Sequence, residues 1–181
     1  MPDNACLETP RLYLRPFVME DVPDLAAIFS DPDVMHFMPK SSRSPEKRAE
    51  ATIELHIDHW QEHGFGFWAM IDKANNCLMG EGGLMLWETA PEVELGYLMA
   101  QAYWDKGIAT ELAQASLAYG FETLDLERIV AVASPGNRAS RRVMEKVGMT
   151  YEKRDYYYGG ECVYYAINRD RWQSVEQSKT G

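Results

Sequence analysis

The sequence predicts an α+β domain, built as a mixed, mostly antiparallel sheet with helices on both faces. Three observations predict it. Segments of alternating polarity and segments of helical spacing follow one another in the order β α α β β β α β α β β. A strand–helix–strand passage in the middle needs a crossover, so those two strands should be parallel. Asn75-Asn76 and Gly159-Gly160 fall between pairs of strand-like segments, which suits antiparallel hairpins.

Residues 11–17 alternate polar and apolar and read as a strand. Residues 21–30 read as a helix, with Asp21 placed to cap it and Leu25, Ile28 and Phe29 on one apolar face. Pro32 and Pro39 interrupt residues 31–43, a predicted loop. Ser44-Pro45-Glu46 is a helix start: a cap, a proline at the first position, then an acid. Ala49, Ile53, Ile57 and Trp60 carry that helix to Gly64. Strands follow at Phe65–Asp72, Cys77–Trp87 and Val93–Met99. Residues 107–124 read as one long helix, with Ile108, Leu112, Ala113, Leu117, Phe121 and Leu124 on one face at helical spacings. Ile129–Ala133 is short and wholly apolar, as a buried strand should be. Asn137–Val147 reads as a helix ended by Gly148. Met149–Tyr158 and Cys162–Asn168 close the chain as a hairpin.

Composition narrows the function. The 181 residues suit one domain with a core of its own. A net charge of −10 disfavours nucleic acid and favours cationic partners. No run of about 18 apolar residues predicts a membrane span. Met1-Pro2-Asp3-Asn4 has no signal-peptide pattern, so no leader is expected. Cys6, Cys77 and Cys162 are sparse and form no CxxC pair, which suits a reducing cytoplasm better than a disulfide framework. The charge is uneven. Residues 19–35 are acidic, whereas residues 137–154 carry Arg138, Arg141, Arg142, Lys146, Lys153 and Arg154. The basic stretch is either an anion dock or a solvated helix face.

The most informative segment is Tyr103-Trp104-Asp105-Lys106-Gly107-Ile108-Ala109-Thr110, which follows a strand and opens a helix. The first turn of a helix leaves backbone N–H groups without partners, and these suit a pyrophosphate. Gly107 permits close backbone approach, Ala109 adds little bulk, and Lys106 can add a charge. The Walker A and GxGxxG spacings are both missing. On its own the turn could serve helix packing alone.

Four further stretches widen the pattern. Glu94-Leu95-Gly96-Tyr97 precedes the turn, Trp104 to Glu111 contains it, and Leu126-Glu127-Arg128-Ile129 and Asn137 to Met149 follow. Together these resemble the GNAT superfamily. With Leu7 to Pro16 and Tyr165 to Trp172, the likeness is to its RimJ/RimL-type ribosomal-protein N-acetyltransferase branch. The resemblance covers residues 7–172, which makes these the domain and leaves 173–181 as a polar C-terminal tail.

The resemblance implies an acetyl-coenzyme A-dependent N-acetyltransferase, working by direct attack in a ternary complex, with no metal. It implies that the two parallel strands splay and that the pantetheine arm lies between them. The pyrophosphate loop maps to Trp104, Asp105, Lys106, Gly107, Ile108 and Ala109, with Thr110 just inside the helix. Leu98, Met99 and Ala100 would offer backbone groups, and Asn137 would contact the cofactor arm. The chain departs from the family in carrying Trp104 where Gln or Arg is frequent and Asp105 where Gly is frequent. The Asp105 side chain is therefore expected to point away from the pyrophosphate. Met144 occupies the position of the usual tyrosine acid and has no proton to donate.

Acetyl transfer requires a neutral amine, hence a base, and an oxyanion donor. Glu94 on the central strand is the favoured base, and Glu81, between Gly80 and Gly82, is the runner-up. Glycines there either leave room for a ligand or mark a bulge. Ser140, three residues after Asn137 and on the same helix face, is the candidate partner of the leaving thiolate. Alternatively Asn137 simply caps the helix. Tyr97, Tyr156, Tyr157 and Tyr158 are further hydroxyls, either lining an acceptor pocket or covering the sheet. His56, His59 and His63 share a helix at spacings that could hold a metal, but an ordinary packed face is favoured.

The acceptor is expected to be a cationic amine, a protein N-terminus or a small molecule. No nucleic-acid or membrane partner is expected, and the assembly is a monomer or homodimer. Two rival readings are an acyl-CoA-binding sensor without catalysis and a transferase of another acyl group.

Overall fold

The computed structural model describes residues 5–87 and 91–180, without the side chains of 179 and 180. Met1–Asn4, where no leader was expected, and Gly181 of the expected tail lie outside the described residues. Eight strands form one sheet: β1 (Leu7–Glu8), β2 (Leu12–Arg15), β3 (Phe67–Asp72), β4 (Leu78–Leu86), β5 (Val93–Met99), β6 (Arg128–Ala133), β7 (Thr150–Tyr157) and β8 (Gly160–Asn168). Their spatial order is β1-β2-β3-β4-β5-β6-β8-β7. Among the described residues only β5 and β6 pair in parallel, and every other neighbouring pair is antiparallel. The mixed sheet with a central crossover is the architecture the sequence predicts.

Helices α1 (Val22–Phe29) and α2 (Pro45–His63) follow β2, and α3 (Ile108–Ala118), α4 (Arg138–Lys146) and α5 (Arg169–Thr180) follow β5, β6 and β8. Period-two alternation splits the core. Leu12, Leu14, Trp68, Met70 and Leu95 join Leu112 and Leu117 of α3 in one cluster. Ala69, Ile71, Leu78 and Leu98 join Leu25, Ile28 and Ile53 of α1 and α2 in another. Helix α2 starts and stops as its sequence dictates. Ser44 Oγ accepts the Lys47 amide at 3.3 Å, and Gly64 ends the helix at φ 73°.

Three local expectations are corrected. Asp21 makes no capping bond. Its buried carboxylate instead accepts both Arg15 guanidinium nitrogens at 2.8 and 2.7 Å and the Val18 amide at 3.0 Å. A charge taken out of water is better satisfied by a bidentate guanidinium than by one amide. The predicted helix over 107–124 is α only to Ala118, and Tyr119–Thr123 form a π turn. This turn presents Gly120 to the sheet, where a Cβ would lie 2.6 Å from Ile129, and buries Phe121 against Trp172. The closing hairpin turns at Tyr158-Gly159, with φ 53° and 80°, and Gly160 already pairs with Tyr157. Beyond these, α5 runs from Arg169 to Thr180, through most of the polar C-terminal segment. Buried Trp172 and half-buried Val175, whose methyl groups lie over Gly148, anchor α5.

Candidate active site

Strand β5 leads straight into the glycine turn. The Trp104 indole donates to the Met99 carbonyl at 3.0 Å, folding the chain back after the strand ends. Asp105 and Gly107 both take left-handed φ, 57° and 76°. That geometry costs an L-residue energy and costs glycine little. Gly107 is the residue before α3, and no side chain caps the helix. Its first amides are therefore left for another acceptor.

A clamp from the N-terminal turn fixes this helix start. Arg11 donates to the Lys106 carbonyl at 2.7 Å and to Glu111 of α3 at 2.6 Å, and the Thr9 hydroxyl donates to Glu111 at 2.5 Å. Burial would raise the Glu111 carboxyl, but these hydrogen bonds and the Arg11 charge outweigh it and hold it below the ordinary range.

A cleft of about 730 Å³ opens beside the turn. Leu98, Met99, Trp104, Asp105 and Gly107 line it. So do Ile108, Ala109 and Thr110 at the start of α3, and Asn137 and Ser140 of the α4 cap. Two expected cofactor residues stand outside it. The Ala100 amide turns to β4 and donates to Met79 at 2.8 Å. Lys106 places its ammonium over the Tyr103 ring, 5.9 Å from the centroid. Asp105 is exposed and lines the cleft. Asn137 spends its side-chain oxygen on the Ser140 amide at 3.0 Å, which is the capping role. The Ser140 hydroxyl meets the Tyr97 phenol, whose pKa burial raises despite that bond. Met144 is 4% exposed and belongs to the core.

The basic stretch divides. Arg142 and Lys146 line the cleft, whereas Arg141 is held on the Tyr165 hydroxyl at 3.4 Å. The sequence did not point to the loop between α1 and α2. It brings His36, Phe37 and Met38 to the cleft, tied down by Gln101 donating to Asp33 at 3.1 Å.

Glu94 lies where β5 and β6 part. Among the described residues the two strands share one paired position, Glu94 with Val130. The Glu94 side chain reaches past that pair to accept the Val132 amide of β6. Its Oε2 also accepts the Trp87 indole at 2.7 Å and the Tyr158 hydroxyl. Burial is the largest influence and raises this carboxyl; the three donors partly oppose it. Trp87 and Val132 escaped sequence reasoning, since nothing in the local pattern links them to Glu94.

The runner-up, Glu81, is taken up elsewhere. Its carboxylate meets His56 Nε2 of α2 at 3.0 Å, and both side chains are buried. Its neighbouring glycines serve packing. A Cβ on Gly80 would sit 2.1 Å from the Leu98 carbonyl, and one on Gly82 would sit 2.5 Å from Leu112. The β3–β4 register shifts beside Gly80, so the glycines mark a bulge. Of the three α2 histidines, His59 is committed to backbone, with Nδ1 on the Phe65 carbonyl at 2.7 Å and Nε2 on the Leu86 amide at 3.1 Å. Burial lowers its pKa.

Comparison with known proteins gives the family. The family model described as acetyltransferase (GNAT) domain matches residues 11–150. The chain belongs to the GNAT acetyltransferases. It is 32% identical to the uncharacterized N-acetyltransferase YnaD of Bacillus subtilis (strain 168), over 92% of this chain and 98% of that one. The crystal structure of an acetyltransferase (GNAT family) from Bacillus anthracis superposes with a TM-score of 0.78 at 30% identity, covering 91% of this chain and 99% of that one. A putative ribosomal N-acetyltransferase, YdaF of Bacillus subtilis (strain 168), is 35% identical over 88 residues, 45% of this chain and 48% of its own. Among the described residues no helix is long and apolar enough to cross a membrane.

Proposed function

We propose that this GNAT acetyltransferase moves an acetyl group from acetyl-coenzyme A onto a primary amine in a ternary complex. One observation carries the reading. An uncapped helix start lines a cleft just beyond the end of β5, and the same strand carries a buried carboxylate, Glu94, at the one position it pairs with β6 among the described residues. The residues fit the co-substrate. The Ile108–Thr110 amides and the α3 dipole suit its pyrophosphate. Arg142 and Lys146 put positive charge on the same cleft. Leu98 and Met99 line the cleft at the end of β5, where backbone groups can hold the acetyl carbonyl. Acetyl-coenzyme A bound there supplies an activated acyl carbon as a thioester.

The chain's own residues do the rest. Glu94 takes the amine's proton, and burial moves its carboxyl toward the pKa range of amines. Ser140, with the Tyr97 phenol beside it, holds a proton on the cleft wall where Met144 has none. Asp33 on the cleft, in a chain of net charge −10, favours a cationic acceptor. A protein N-terminus and a small polyamine both qualify. The enzyme is assigned to the cytoplasm, in keeping with its three free thiols.

The test is thiol release from acetyl-coenzyme A across a panel of amines, with the melting shift induced by coenzyme A as companion. Amine-dependent thiol release and a saturable rise in melting temperature are expected. Absence of any shift at saturating coenzyme A sinks the reading. A shift without release by any amine makes the protein a binding module.

A further inference from the structure

Tyr158 stands between solvent and Glu94. The Glu94 carboxylate is 8% exposed, whereas the Tyr158 side chain at the hairpin tip is 60% exposed. Its hydroxyl donates to Glu94 Oε2 and also accepts the Trp87 indole at 3.1 Å. The backbone at Tyr158 makes this contact notable. It occupies the first position of a two-residue hairpin with φ 53°, where asparagine or glycine suits the turn. A tyrosine held in that region carries a strain of about 1–3 kcal/mol, which a surrounding constraint has to offset. The stack of Trp87 on Tyr157 (4.9 Å) and of Tyr157 beside Tyr164 (5.9 Å) supplies the constraint and aims the tip inward.

The other ionisable groups nearby are occupied. The Tyr164 hydroxyl donates to Glu92 at 2.6 Å. The Lys153 ammonium lies 5.0 Å from the Tyr164 ring centroid and pairs with Asp155 at 2.9 Å. Cys162 is buried and its thiol donates to the Tyr157 carbonyl.

Resting on the reading of Glu94 as base, we propose that Tyr158 is a further catalytic residue, relaying the acceptor's proton to Glu94. The arriving ammonium gives one N–H proton to Tyr158 Oη. In the same step Tyr158 gives its own proton to Glu94 Oε2. The ammonium becomes a neutral amine, the carboxylate becomes a carboxylic acid, and the phenol is regenerated. An acceptor therefore meets a hydroxyl at the surface and need not enter the buried wedge with its charge. Burial and the neighbouring Glu94 charge raise the Tyr158 pKa, so the phenol stays protonated and ready to donate.

The experiment compares Tyr158→Phe with Tyr156→Phe, its neighbour at 78% exposure, which neither lines the cleft nor bonds Glu94. In Tyr158→Phe, kcat should fall about 10-fold, a modest share of what proton transfer contributes, because water can partly replace the hydroxyl. The melting shift with coenzyme A should stay. In the free protein, the Glu94 carboxyl followed by carbon NMR should titrate at higher pH than in the parent, because one hydrogen bond to the carboxylate is gone. The acid limb of kcat/KM should move up with it. Tyr156→Phe should match the parent in all four measurements. An unchanged or increased kcat in Tyr158→Phe overturns the relay, as does a lost kcat with an unmoved Glu94 titration. Glu94→Gln separates the two levels: if it abolishes turnover while Tyr158→Phe is silent, the base survives and the relay does not.

Discussion

The two ends of the wedge are made of different material. The cofactor end is largely backbone, the turn around Gly107 and the first amides of α3, which no side chain caps. The acceptor end is mostly side chain: Glu94 meets Trp87, 7 residues before it, and Tyr158, 64 residues after it. A backbone site is positioned by local chain geometry and tolerates many side chains. A side-chain site depends on the whole sheet, because strand order β5-β6-β8-β7 is what brings the hairpin tip to the wedge. Substitutions should therefore separate the two ends.

The largest effect is expected at the acceptor end. Glu94→Gln removes the base and should lower kcat about 100-fold, a typical share for general base catalysis. The coenzyme A melting shift should be retained. Loss of that shift would show that the two ends are one coupled unit and break the comparison. The next effect belongs to the cofactor end. Gly107→Val forces a β-branched residue to φ 76°, where only the Arg11 guanidinium, 3.6 Å from an added Cβ, is near. The cost is thus conformational, about 1–2 kcal/mol, which corresponds to roughly a 10-fold weaker Kd for coenzyme A if the loop distorts to relieve it. Titration calorimetry reads this directly, and kcat at saturating co-substrate should hold. A kcat that falls with Kd unchanged would reverse the assignment of this turn.

The same contrast explains what the sequence could disclose. Periodicity disclosed the strands and helices because each buries one face against a neighbour. Ser44-Pro45 and Gly64 disclosed the ends of α2 because caps act within one turn. The glycine turn was legible for the same reason. Helix α5 was hidden because its polar composition contains only two anchors, Trp172 and Val175, against distant Phe121 and Gly148. Asp21 looked like a cap because its partner Arg15 lies on a neighbouring strand. The choice between Glu94 and Glu81 was open for a similar reason. Both are strand glutamates, and only the tertiary fold gives one to His56 and the other to the parting strands.

The smallest effect sharpens the comparison by its sign. Each end holds one shifted carboxyl. At the acceptor end, burial raises Glu94 above its unfolded value. The folded state then binds that proton more tightly than the unfolded chain does. Its contribution to stability is greatest below the unfolded pKa and is lost as pH rises through the raised folded pKa. At the cofactor end, Thr9 and Arg11 outweigh burial and lower Glu111. Its contribution is present above the unfolded pKa and is lost as pH falls through the depressed folded pKa. Thermal melts of Glu94→Gln and Glu111→Gln against the parent, from neutral pH to below about pH 4, the ordinary range of glutamate, should therefore diverge. At neutral pH Glu94→Gln should melt higher than the parent and Glu111→Gln lower, and both differences should shrink in acid. Differences of the same sign would mean that the two carboxyls do one structural job, and that Glu94 is not held at a cost to folding in the way a base is.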